Sequence, residues 1–171
     1  MARERRLWDA RQRLFRLSVD GTTGRGYFAY LRRHLSPAVK LIPSPPRLVL
    51  IALVGDARMS QLHEKFLNVA GPTDVLTFEL DHNARGRVTA GEVIVCVPEA
   101  RRQARKRGST VQKELLLYAL HGMLHLSGFD DRTAAGYRNM HRKEDQILTK
   151  LGIGPVFAGA PPLRGAKSEA R

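Results

Sequence analysis

The chain has 171 residues and a mass of 19.1 kDa, with 43% apolar and 26% charged residues. That is enough for one self-sufficient core, and it excludes a wholly disordered, collagenous or fibrous chain. The charge is less ordinary: 29 Lys and Arg against 16 Asp and Glu leave +13 and a pI near 10.8, which favours a polyanionic partner such as nucleic acid.

In chain order, residues 1–13 are arginine-rich and read as a basic arm. A single domain is expected over 14–153, and the Gly-, Ala- and Pro-rich stretch 154–171 reads as a disordered tail. LFRLSV (14–19) alternates as a strand does. YFAYLRRHLS (27–36) spaces Phe28, Leu31 and Leu35 as one face of a helix. Three prolines in 42–46 forbid regular structure there. RLVLIALV (47–54) is a short apolar run and a buried strand. Asp56 is placed to cap the next helix, DARMSQLHEKFL, with Met59, Leu62 and Phe66 on its inner face. DVLTFEL (74–80) alternates as a half-buried strand, and GEVIVCV (91–97) is its expected hairpin partner. Asp74 is expected to pin the start of the first of these, and Phe78, like Phe129, to be core or a base-stacking surface. Pro98 opens a helix that closes at Gly108. Ser109 or Thr110 caps the next, 111–126, which Gly128 ends; a last helix over 133–151 turns Tyr137, Met140, Ile147 and Leu148 inward. The order gives an α+β fold: a small mixed β-sheet with helices packed on it, and a central helix followed by a glycine turn.

Cys96 is the only cysteine, so neither an intrachain disulfide nor a cysteine-based zinc site is available. The opening residues lack the apolar core of a secretory signal, and the longest apolar run, 48–54, is too short to span a bilayer. A soluble, cytoplasmic protein is expected, with no membrane partner.

The chemistry gathers on helix 111–126. His121 and His125 are four residues apart. Four residues advance about 400°, so both imidazoles leave one face, one turn apart, as two ligands of one metal ion must. Gly128 lets the chain reverse, and Asp131 can return to the same ion; the spacing favours it over Asp130. Three ligands leave a position for water, which marks a catalytic rather than a closed site. Gly122 lacks a side chain where a helix interior disfavours glycine, so something is expected to approach the backbone there. The spacing is similar to that of the metzincin proteases, which need Glu directly after the first His; Gly122 stands there, so peptide hydrolysis by that route has no base.

HGMLHLSGFDD, with PTDVLTF (72–78) and AGEVIVCV (90–97), resembles the YbeY family of metal-dependent endoribonucleases, from about Leu48 to Gly154. The resemblance implies an α+β fold and single-strand-specific RNA cleavage. It also implies one divalent transition metal, usually zinc, and a role in end processing of small-subunit rRNA and ribosome quality control. The partners would be rRNA, the small ribosomal subunit and ribosomal or assembly proteins. Two positions depart from the family pattern. Asp131 stands where a third histidine is usual, and Leu67 stands where an arginine is common. Leucine cannot contact phosphate, so a non-catalytic assembly factor with a structural metal stands as an alternative, and a metallohydrolase of another substrate as a third.

Arg101, Arg102, Arg105, Lys106 and Arg107 share one helix, and residues 98–113 carry six basic and one acidic residue, hence +5. They are read as a phosphate-tracking surface for RNA, against a merely solvated helix face. Glu114 and Tyr118 precede His121 by seven and three residues on the same face and are candidates to orient a ligand histidine. His34, His63, His82 and His141 have no partner spacing and are expected at the surface.

Overall fold

A computed structural model of the chain describes residues 15–156; the basic arm 1–13 and the tail beyond residue 156 lie outside the described residues. Four strands and five α-helices follow in chain order: β1 (Arg16–Gly21), α1 (Phe28–Ala38), β2 (Leu48–Val54), α2 (Asp56–Leu67), β3 (Val75–His82), β4 (Val88–Cys96), α3 (Val97–Arg107), α4 (Val111–Leu126) and α5 (Ala134–Lys150). The fold is α+β. The sheet runs β1-β2-β4-β3, with β1, β2 and β4 parallel and β3 antiparallel to β4.

The period of two along the strands decides which helix covers which face. Val49, Ile51 and Leu53 of β2 and Val93 and Val95 of β4 point to one side and join Leu31 and Leu35 of α1 and the body of α4 in the main core. Val54, Ile94 and Cys96 point to the other side and meet Met59 and Leu62 of α2 and Leu76 of β3. β2 and β4 are therefore covered on both faces, which is why they read as continuous apolar runs. α4 lies in the middle: eleven of its sixteen residues are buried, and α5 packs outside it through Met140, Ile147 and Leu148.

Three local expectations change. Gly55, not Asp56, is the N-cap of α2; Asp56 is the first helical residue, and its carboxylate accepts two bonds from Arg102 (2.8 and 2.7 Å) instead of a backbone N–H. Phe66 is 48% exposed rather than inward, because it leans edge-on against Phe78 with Lys65 over its ring. The helix expected over 27–36 begins one residue later and continues through Pro37 to Ala38.

Candidate metal centre

Thr110 caps α4 by accepting a bond from the Lys113 N–H, which starts the helix in the register expected. His121 and His125 project from the same face two turns and more further on, each partly exposed. At the helix end Gly128 takes φ +91°, a left-handed conformation that glycine adopts readily. The Gly128 and Phe129 N–H groups return to the carbonyls of His125 and Leu124. That tight turn delivers Asp131, 8% exposed, to the two histidines. Asp130 faces outward and is held by Arg132 (2.6 Å), whose guanidinium keeps its carboxyl down to about 2.

The two Nε2 atoms are 3.0 Å apart, and the Asp131 oxygens lie 3.5 Å from His121 Nε2 and 3.6 Å from His125 Nε2. Nitrogen and oxygen ligands at about 2.0–2.1 Å around a tetrahedral ion sit roughly 3.3 Å from one another, so the donor spacing fits. All three donor atoms fall within 4.8 Å of one another.

The hydrogen bonds behind the rings fix what the front presents. His125 Nδ1 faces the Phe129 carbonyl at 3.0 Å, and a carbonyl only accepts, so Nδ1 carries the proton. His121 Nδ1 faces the Glu144 carboxylate at 2.6 Å and donates to it. In neutral rings both Nε2 lone pairs then point at each other, and Asp131 Oδ1 is buried without a hydrogen-bond partner. Such an arrangement calls for a cation in the middle. Burial would lower the His121 pKa, but Asp131 and Glu144 outweigh it and raise it to about 10. Burial and the neighbouring His121 charge push His125 down. Burial works against the charged forms of Asp131 and Glu144, yet the histidines beside them hold both carboxyls below their ordinary value. The residues fit a divalent ion held by two imidazoles and one carboxylate.

A family model described as endoribonuclease YbeY matches residues 31–152. The chain belongs to the YbeY endoribonuclease family. A relative named endoribonuclease YbeY from Moorella thermoacetica is 37% identical over 114 residues, covering 61% of this chain and 73% of its own. One of the same name from Anaeromyxobacter sp. is 32% identical over 155 residues, covering 90% of this chain and 81% of its own. A solution structure of a Thermotoga maritima protein superposes with a TM-score of 0.56 at 28% identity, covering 85% of this chain and 99% of that one.

Within this YbeY fold, the other sequence candidates fall in different places. Glu114 and Tyr118 do not hold a ligand histidine, because both Nδ1 atoms are already taken by Glu144 and Phe129. Glu114 is instead buried against Arg107 (3.1 Å), and burial, with Asp74 and Glu114 nearby, pushes the Tyr118 hydroxyl up. Arg107 is thereby drawn inward from the expected RNA surface. Arg102 is tied to Asp56 and to Glu99 (2.6 Å). Arg101, Arg105 and Lys106 stay exposed on α3. Leu67, where the family commonly has arginine, packs against the second core cluster. Burial pushes the Cys96 thiol up to about 12, so it is a core residue and no nucleophile. Asp74 pins β3, accepting from the Val75 N–H and the Thr73 hydroxyl. Phe129 packs against the main core and Phe78 against the second.

Sequence reasoning missed Glu144 and misplaced His141. Glu144 is 0% exposed, and His141, expected at the surface, donates to it at 2.5 Å with a side chain 12% exposed. The signal for Glu144 was present: it shares the inner stripe of α5 with Met140, Ile147 and Leu148, where a carboxylate needs a reason.

Proposed function

We propose that the chain is a metal-dependent endoribonuclease that cuts single-stranded RNA in rRNA maturation and ribosome quality control. In this reading His121, His125 and Asp131 hold one zinc ion, residues 14–153 are the catalytic domain, and the protein works in the cytoplasm on small-subunit rRNA. The observation that carries the reading is the pair of facing Nε2 atoms beside the orphaned Asp131 oxygen, in a chain of this family. No helix among the described residues is long and apolar enough to cross a membrane.

A divalent ion held by His121, His125 and Asp131 would supply Lewis acidity toward a phosphodiester and toward water. The chain's own residues do the positioning. The Phe129 carbonyl and Glu144 aim the two imidazoles, and Asp131 contributes the negative charge. Arg101, Arg105 and Lys106 draw in the RNA backbone by phosphate contacts that do not depend on sequence.

Elemental analysis of the purified protein, paired with cleavage of an rRNA fragment, tests this. Wild type is expected to carry about one ion per chain and to cut. His121→Ala and Asp131→Ala should lose both. Cleavage unchanged in Asp131→Ala would remove that carboxylate from the mechanism, and full metal content in His121→Ala would remove the site.

A further inference from the structure

The α5 residues Tyr137, His141 and Glu144 stand four and three positions apart, on the helix side that meets His121 of α4. Glu144 is wholly buried and both its oxygens are used: Oε1 accepts from His121 Nδ1 at 2.6 Å, and Oε2 accepts from His141 Nδ1 at 2.5 Å. The His141 ring is stacked along the His121 ring, with centroids 6.1 Å apart and planes at 25°. The Tyr137 ring meets it edge-on at 4.0 Å. His141 is therefore held in place from two sides while it holds Glu144.

A buried carboxylate is costly unless it is paired and fully hydrogen-bonded. If α5 needed only packing at this position, leucine would serve at lower cost. What glutamate adds is charge. A divalent ion facing only Asp131 would leave one positive charge inside the protein; Glu144, one imidazole removed, supplies the second negative charge.

We propose that Glu144 and His141 are positioning residues of the metal centre. Glu144 fixes the Nδ1–H tautomer of His121, so that Nε2 faces His125 and Asp131, and it completes the neutralisation of a divalent ion. His141 locks the Glu144 carboxylate in that pose. This rests on the metal reading of the site given above.

The test uses the full-length protein and cobalt(II), whose visible bands report ligand geometry, with zinc affinity measured by competition against a chromogenic chelator. Wild type should bind one ion per chain. Glu144→Gln keeps the shape and removes the charge; it should weaken binding about 10–100-fold, the usual cost of losing a partner behind a ligand histidine, and shift the cobalt bands. His141→Phe keeps the ring stack and loses the donor; it should weaken binding in the same direction by a smaller factor. Cobalt affinity and spectrum unchanged in Glu144→Gln would overturn the inference. So would a variant whose only change is a lower melting temperature of the metal-free protein, since that marks packing alone. Should Glu144→Gln fail to fold, Glu144→Asp and His141→Phe decide it, and wild-type affinity in both overturns it. A wild-type chain that binds no ion would overturn the metal reading as well, whereas an ion bound equally well by wild type and Glu144→Gln would overturn this inference alone.

Discussion

Gly122 lies between the two histidines, and the sheet fills the space its missing side chain leaves. A Cβ there would lie 2.4 Å from Val93 Cγ1, 2.9 Å from Val93 Cγ2 and 3.0 Å from Thr77 Oγ1. The glycine therefore lets α4 sit close on β3 and β4, and it is the sheet that approaches the backbone. Val93 is buried and β-branched, so it has little freedom to swing away. Overpacking of this kind costs about 1–3 kcal/mol, against roughly 1 kcal/mol gained in helix propensity. Gly122→Ala is expected to lose up to about 2 kcal/mol net, read as a lower denaturation midpoint in urea. In a Val93→Ala background the same substitution should cost less, and strictly additive effects would disprove the contact. The same scale shows why some site residues were legible and others not. His121, His125 and Asp131 are tied by one helix and one turn, so spacing along the chain fixes spacing in space. Glu144 comes from the next helix, and only packing of α5 on α4 brings it to His121.

Among the elements, the two helices that build the site are both started by threonine. Thr110 caps α4, and Thr133 caps α5 by accepting from the Gly136 N–H at 3.0 Å. Thr133 also closes the short segment that carries Asp131 out of the α4 turn. Its removal leaves an unsatisfied N–H and frees the start of α5, so Thr133→Ala should cost about 1 kcal/mol. The midpoint in urea should fall with the slope unchanged; no shift would mean that the cap contributes nothing. The helix ends were readable because capping threonines and closing glycines act within a few residues. Asp56 was misread for the opposite reason: Arg102, 46 residues away, competes for its carboxylate. Phe66 was misread because spacing along α2 does not show where the sheet ends. Its ring leans on Phe78 of the edge strand β3, with Lys65 over its face.

Across the whole molecule, a charge of +13 says that a polyanion is favoured but not where it binds. The fold divides that charge by what each cation already holds. Arg102 is tied to Asp56 and Glu99, and Arg107 to the buried Glu114. Arg101, Arg105 and Lys106 extend from the same helix into solvent. Each phosphate neutralised on a single strand releases counterions and adds about 0.7 to the slope of log affinity against log salt. Replacing Arg101, Arg105 and Lys106 together by alanine should therefore flatten that slope for single-stranded RNA by about 2 and weaken binding at low salt. Arg102→Ala should leave the slope nearly unchanged, since it removes a cation already neutralised by two carboxylates, and should act through stability instead. A triple variant with the wild-type slope would move the RNA to another face. Cleavage at saturating RNA should survive the triple substitution, because in the proposed reading these side chains only collect the backbone, and the metal centre proposed at His121, His125 and Asp131 is left intact.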